Sequence, residues 1–582
     1  MTTSRNRKVT RDLVLRINIL IFTYLFSIVL LIVRLFFIQV LNHEKYKTIA
    51  QEQYWDLSVL PAQRGDIISS DGFILAGTQV HYLLYVEPKK VIDNNLDALV
   101  DKLVTYKSFE EEEEFNDLTK HYKDRVFDIL NSSLYWSVLA RNVTPVQKEE
   151  IEGLNISGIG FEEEPVRYYP EGSLASHVLG FVASNEDGTE QGYFGIEGAL
   201  DEDLKGRPGR VLQEIDAIGN PILLGNYRFS ESIKGRDIIL TMNRSVQYIV
   251  EKALEEGMKK YGAKSGTVIV MNPYTADIIA MANFPTYRPD DFSVVKEDER
   301  KNLAISQTYE PGSVMKPLTV ASGIDRGIVT PDSTFVDGGP VNYSGYVIDN
   351  WDYKHHGVQT VAQLLEKSNN VGSAWLGHKI GSQILYEYLT KFGIGTKSKI
   401  ELEGEDTGEI RPYKTWTDID LATAAFGQGV SATPLQVLSA FNVFANGGNL
   451  LLPKITSEIV DYDRSIEMPT VIKERVISVK SADTMTQMLV RAAHYGEAQF
   501  FILKNYNIAG KTGTAQIPVD GRYDPRKTNV TFAGYLAGSK KFSMIVKLEE
   551  PQTSIYAAET AVPLWMDIAD ALIKYYGIPA DR

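Results

Sequence analysis

The sequence predicts an α+β fold: an antiparallel sheet carrying helices, with a helical subdomain inserted between its strands. Three observations predict it. GTVIVMN (266–272) and DIIAMAN (277–283) flank Pro273-Tyr274-Thr275-Ala276, which reads as a β-hairpin of apolar or alternating strands. NIAGKTGTAQI (507–517), VTFAGYLAG (530–538) and KFSMIVKLEE (541–550) read as three more strands. The text between the two groups is mostly helical. The hairpin and the last three strands therefore combine into one five-stranded sheet.

The N-terminus predicts a membrane anchor. Ile17 to Val33 carries no charge, and Arg34 and the apolar LFFIQVL follow to Leu41. About 20 helical residues cross the hydrocarbon core, so 17–41 is long enough. The first sixteen residues hold five basic side chains against Asp12. Positive charge before the span puts residues 1–16 in the cytoplasm and everything after Leu41 outside, as a single pass. A cleaved signal peptide is the weaker alternative, because no small-x-small site follows the apolar run. Arg34 is expected near the outer face, where its guanidinium reaches the interface.

Residues 42–60 read as a helix leaving the membrane and then an extended segment. Asp71-Gly72 between apolar runs marks a turn or hairpin. Residues 90–150 are mixed helical text, and the acidic run Glu110–Glu114 reads as a solvated face or loop. Residues 160–235, rich in Gly, Pro and Asp, read as an extended, strand-containing, non-catalytic module. Near Gly235 the texture changes to a strand and an amphipathic helix. AVPLWMDIADALIKYYG reads as a closing helix. The division expected is 1–16 tail, 17–41 anchor, 42–235 pedestal and 236–582 catalytic domain.

Composition narrows the function. The chain has no cysteine, which excludes disulfides, thiolate metal sites and cysteine nucleophiles. Its net charge of −15 argues against nucleic-acid binding, which needs basic surface. His355 and His356, lacking carboxylate or cysteine company in the sequence, read as a loop pair and not as metal ligands.

The chemistry lies in three ordered motifs: Ser313-Val314-Met315-Lys316, Ser368-Asn369-Asn370 and Lys511-Thr512-Gly513. Single motifs are weak signals, since Ser293-Val294-Val295-Lys296 and Ser4-Arg5-Asn6 fit the first two patterns. The ordered triplet is not. Pro311-Gly312 precedes Ser313, and Pro317 fits only the first turn of a helix, so a helix starts at about Ser313. Ser313 and Lys316 then share a face. A serine hydroxyl needs a base, and a lysine serves only if burial or nearby cations depress its pKa. Lys511 is a candidate for that cation. Ser368 can relay a proton to a leaving amine, and Asn370 can orient the substrate amide and Lys316. Lys511 and Thr512 suit a terminal carboxylate. Gly513 permits close approach of a substrate backbone. The backbone N–H groups of Ser313 and Thr514 can form an oxyanion hole.

These motifs, with RLFFIQV, RGDI, RYYPEGSLASHVLGFV, GIEGALDEDLKGRPG, NPYTADIIAMANFP, FGQGVSATPLQ and ANGGNLLLP, resemble a class B penicillin-binding protein over nearly the whole chain. YEPGS and FGQGVSATPLQ are most similar to the division-type (FtsI/SpoVD-like) branch. Ser69-Ser70 and Leu303 depart from the usual pattern. The resemblance implies a peptidoglycan DD-transpeptidase of the bacterial cytoplasmic membrane with an extracytoplasmic catalytic domain. Ser313 would attack the penultimate D-Ala of a donor stem peptide, an acceptor amine would resolve the acyl-enzyme, and β-lactams would acylate the same serine. No cofactor or metal is implied. The implied partners are a SEDS-type glycan polymerase and other divisome membrane proteins. The alternatives are an elongation-type transpeptidase, a hydrolase of the carboxypeptidase or β-lactamase kind, and a penicillin-sensing or scaffold protein.

Overall fold

The computed structural model describes residues 3–91, 96–106, 112–131, 134–185, 189–215, 222, 227–519 and 522–582. They form two compact units, 1–62 with 207–233, and 63–206 with 234–582.

The smaller unit begins with the helix Thr3–Phe36, continued by a π-helical turn, Phe37–Leu41, and a second helix, His43–Tyr54. Leu13–Leu41 is long and apolar enough to cross a membrane, with a mean hydropathy of 2.6. The strand Trp55–Leu60 then pairs antiparallel with Gly209–Glu214, which pairs with Tyr227–Ser230. The helix and extended segment read from residues 42–60 are both present.

The catalytic part of the larger unit is built on the five-stranded sheet. Its order is Ile278–Phe284, Ser265–Met271, Ser543–Glu549, Arg522–Leu536, Ile508–Val519, antiparallel throughout. The period-2 alternation assigns each strand's side chains to two cores. Val268 and Val270 pack under the helices Arg244–Tyr261 and Ala561–Tyr576. Ile269 and Met271 face the core that contains Lys316–Asp325 and Pro434–Ala445. The strand expected at 530–538 starts earlier, at Arg522, because its outer half forms a long hairpin with Ile508–Val519.

One expectation needs correction. The insert between the strand groups is not simply helical. Thr456–Asp461 and Arg464–Glu467 form a hairpin that joins a different, seven-stranded sheet. There Thr456–Asp461 pairs with Asp237–Leu240, which runs parallel to Ile67–Ile68. Ile74–Val86, Ser137–Val143 and Ile159–Tyr168 complete that sheet. The physical reason is satisfaction of strand edges: Asp237–Leu240 offers two edges and needs a partner on each.

The hairpin at Asp71-Gly72 is present, with Gly72 at φ 86°. Of the acidic run, Glu110 and Glu111 lie outside the described residues.

Three sequence blocks converge on one buried ion cluster. Glu197, fully buried, accepts from Nε of Arg64 (2.6 Å) and Nε of Arg167 (2.6 Å). Arg64 also donates to Asp201 (2.7 Å), and Arg167 donates to the carbonyl of Gly65 (2.7 Å). RGDI, RYYPEG and GIEGALDEDL thus meet as one hydrogen-bonded unit.

Candidate active site

Ser313 lies in a 3-10 turn, Gly312–Met315, and the α-helix proper runs Lys316–Asp325 with Pro317 in its first turn. The helix therefore starts three residues later than the sequence suggests. In a 3-10 turn residues three apart are eclipsed, so the serine and lysine still share a face. Gly312 N–H donates to the carbonyl of Gly427 (2.9 Å), seating the turn on the Phe426–Gly429 loop. Glu310 reinforces the seat: its carboxylate accepts from Gly429 N–H (2.9 Å) and from the Tyr523 hydroxyl (3.0 Å).

Lys316 is completely buried. Its Nζ donates to the carbonyl of Ser368 (2.5 Å) and to Oδ1 of Asn370 (2.8 Å), and the Ser368 hydroxyl lies 3.2 Å away. Among the described residues it has no carboxylate partner within ion-pair distance. Burial pushes its pKa well below the ordinary lysine value, the Lys511 cation adds to the effect, and Glu497 opposes it. Burial thus favours the neutral amine over the ammonium form, the direction a general base needs.

Ser368 and Asn369 are buried. Ser368 sits at φ 53°, the left-handed region that costs a non-glycine residue energy. Asn369 caps the helix Asn370–Ile380 by accepting from Gly372 N–H (2.6 Å). Asn370 donates to the carbonyl of Asp349 (2.9 Å), which leaves its Oδ1 for Lys316.

Lys511, Thr512, Gly513 and Thr514 lie on the edge strand Ile508–Val519. Lys511 is buried, and its pKa is lowered by burial. Its amine donates to Oγ1 of Thr512 (2.9 Å), and that hydroxyl donates to Glu497 (2.7 Å). A Cβ on Gly513 would stand 2.8 Å from the Pro311 carbonyl and 3.0 Å from Val314 Cγ1. Gly513 therefore also makes room for the turn that carries Ser313. Thr514 Oγ1 accepts from Ala557 N–H (3.1 Å). Next to it Tyr556 meets Trp351 edge to face, ring centroids 5.8 Å apart, joining the two motif-bearing sides.

The structure therefore assembles Ser313, Lys316, Ser368, Asn370 and the Lys511 strand, far apart in sequence, at one place. It leaves the decoy Ser293 elsewhere, on an exposed 3-10 segment beside Val294, 84% exposed. Sequence reasoning missed Asp337, Asn350 and Glu497, single polar residues without a spacing pattern. It also described His355 and His356 as lacking carboxylate company. In space His355 Nδ1 lies 3.7 Å from Asp337 and 4.0 Å from Asp349, and His356 Nδ1 lies 3.2 Å from Lys367 Nζ.

A helix-backed antiparallel sheet holding a serine, a buried lysine with a depressed pKa and a lysine-bearing edge strand defines the active-serine acyltransferase class. The comparisons with known proteins agree. The penicillin binding protein transpeptidase domain matches residues 266–570, and the penicillin-binding protein dimerisation domain matches 59–240. Stage V sporulation protein D of Bacillus subtilis is 30% identical, covering 94% of this chain and 84% of that protein. Peptidoglycan D,D-transpeptidase FtsI of Escherichia coli K12 is 29% identical, over 76% of this chain and 73% of that one. The structure of penicillin binding protein 3 from Mycobacterium tuberculosis with aztreonam superposes at a TM-score of 0.69, with 25% identity, covering 90% of this chain and 98% of that one. The chain belongs to the penicillin-binding protein transpeptidase family, as a class B member of the division type. It is a serine-type transpeptidase, an acyltransferase.

Proposed function

We propose that the chain cross-links peptidoglycan stem peptides during septal wall synthesis, through an acyl-enzyme on Ser313. The observation that carries this reading is the buried Lys316 amine, held by Ser368 and Asn370 one turn from Ser313.

The steps follow from the residues. Ser313 Oγ attacks the carbonyl carbon of the penultimate D-Ala while its proton passes to Lys316 Nζ. The N–H groups of Ser313 and Thr514 stabilise the tetrahedral oxyanion. The C–N bond breaks, and the D-Ala amine takes the proton from Lys316 by way of the Ser368 hydroxyl. Lys511 and Thr512 hold the terminal carboxylate of the donor. An acceptor amine then attacks the ester carbon, Lys316 removes its proton, and as the C–O bond to Ser313 breaks Lys316 returns that proton to Ser313 Oγ. A β-lactam enters at the first step and acylates the same oxygen.

The remaining readings are part of the same proposal. Residues 1–16 are cytoplasmic, 17–41 span the cytoplasmic membrane, 42–235 are the pedestal and 236–582 the catalytic domain. The basic N-terminal flank supports the orientation, and the profile matches at 59–240 and 266–570 support the division. The pedestal and anchor are the expected contact for a SEDS-type polymerase and other divisome membrane proteins.

The test is the fate of the acyl group. Full-length protein is given a pentapeptide ending in D-Ala–D-Ala with and without an amine acceptor. Release of D-Ala with formation of a cross-linked peptide is expected. Release of D-Ala with only hydrolysed tetrapeptide, or fast turnover of bound penicillin, would move the assignment to a hydrolase.

A further inference from the structure

The Ser368–Asn370 loop is held from beneath by a carboxylate that no motif contains. Asp337 ends the short strand Thr334–Asp337 and is buried. Its Oδ2 accepts three N–H groups: the side-chain amides of Asn369 (2.7 Å) and Asn350 (3.0 Å), and the backbone of His356 (3.0 Å). Asn350 passes the restraint on, since its Oδ1 accepts from the backbone N–H of Asn370 (3.0 Å) and of Val371 (3.4 Å). The other arm is Asn369, whose own Oδ1 caps the helix at Gly372. Asn369, between Ser368 and Asn370, and Asn350, which holds the Asn370 N–H, are thereby tied to one buried carboxylate.

This arrangement answers two physical needs. Ser368 occupies a left-handed backbone conformation, which persists only where the surroundings over-determine it. Lys316 lacks a carboxylate partner among the described residues, so only neutral acceptors on this loop fix its amine. Move the loop and the amine moves.

We propose that Asp337 is a positioning residue for proton transfer. Through Asn369 and Asn350 it sets Ser368 and Asn370 as the acceptors that hold Lys316 Nζ toward Ser313. This rests on the reading of Lys316 as the base for Ser313. Asp337 itself touches neither residue, and hydrogen bonds to a charged acceptor are the stronger and shorter kind suited to such a hub.

The experiment compares full-length wild type with Asp337→Asn, which keeps the shape and loses the charge. Three quantities are read: the rate constant for acylation by a fluorescent penicillin, its pH profile, and hydrogen–deuterium exchange of peptides. The rate constant is expected to fall at least tenfold, with the non-covalent binding constant changed far less. The acid limb of the profile is expected to move to lower pH, because displaced acceptors no longer favour the ammonium form. Exchange across 366–372 is expected to rise while 508–519 keeps its rate. Wild-type kinetics and exchange in the variant would overturn the proposal. So would a lower rate with an unmoved acid limb and exchange raised everywhere, the mark of a general structural role. If wild type forms no adduct at Ser313, the base reading falls. Exchange then decides the hub alone, with a local rise supporting it and no rise refuting it. Should Asp337→Asn not fold, Asn350→Ala cuts one arm and carries the same expectations at smaller size.

Discussion

The amine of Lys316 lies 2.8 Å from Oδ1 of Asn370, and among the described residues no carboxylate pairs with it. A fully buried lysine without a counter-charge is expensive unless it gives up its proton. The helix–turn–strand assembly around it therefore lowers the pKa of a residue that is normally a cation and favours its neutral, basic form.

The two charges near Lys316 act with opposite sign. Lys511 lowers its pKa and Glu497 raises it, after burial as the largest cause. The base works when neutral, so acylation rises with pH through the Lys316 pKa. Lys511→Gln removes a cation and lifts that pKa, so the acid limb shifts to higher pH. Glu497→Gln removes an anion and shifts it to lower pH. Stopped-flow acylation across pH reads both, and shifts in the same direction would contradict this electrostatic account.

Gly513 leaves no room for a methyl group. A Cβ there would press the Pro311 carbonyl at 2.8 Å and Val314 at 3.0 Å. Gly513→Ala is expected to displace the Ser313 turn, cost about 1–3 kcal/mol of stability and slow acylation at least a hundredfold. Thermal denaturation and labelling measure the two effects.

The ion cluster of the larger unit should be fragile to removal of its centre. Glu197→Ala leaves the buried Arg167 with no carboxylate partner within ion-pair distance among the described residues, and the buried Arg64 with Asp201 alone. Breaking a buried pair in this way costs about 3–5 kcal/mol. Chemical denaturation should show a loss of that order, while protein that remains folded still takes up penicillin.

Glu251 gives the fold a pH dependence of its own. It accepts from Ala175 N–H (2.7 Å) and Gln247 (2.7 Å), and burial pushes its pKa up to about 7. The folded state thus holds this proton more tightly than the unfolded state. The stability it contributes is complete below about pH 4.5 and lost as pH rises through 7, up to about 3 kcal/mol. Glu251→Gln cannot titrate, so its melting temperature should fall less than that of wild type between pH 4.5 and 7.

Much of this was readable in the sequence, for definite reasons. Strands with period-2 alternation, such as Ser265–Met271, announce a sheet with two apolar faces. Pro317 dates the start of its helix to within one turn. Ser313, Lys316, Ser368, Asn370 and Lys511 were legible because their chemistry is tied to fixed local spacing. Asp337, Asn350 and Glu497 were not, since each acts as a lone side chain whose neighbours are set by tertiary folding. The need for smallness at Gly513 was legible, and its packing against the Ser313 turn, set by tertiary folding, was not. The hairpin 456–467 hid within helical text because its partner, Asp237–Leu240, lies over two hundred residues earlier.

The central claim is that Ser313 is the acylated nucleophile. The most direct measurement is peptide mapping by mass spectrometry of the penicillin-treated full-length protein, with Ser313→Ala and Ser293→Ala alongside. The account predicts one adduct on the peptide containing Ser313, present in wild type and Ser293→Ala and absent from Ser313→Ala. An adduct that persists in Ser313→Ala, or maps to Ser293, would contradict it.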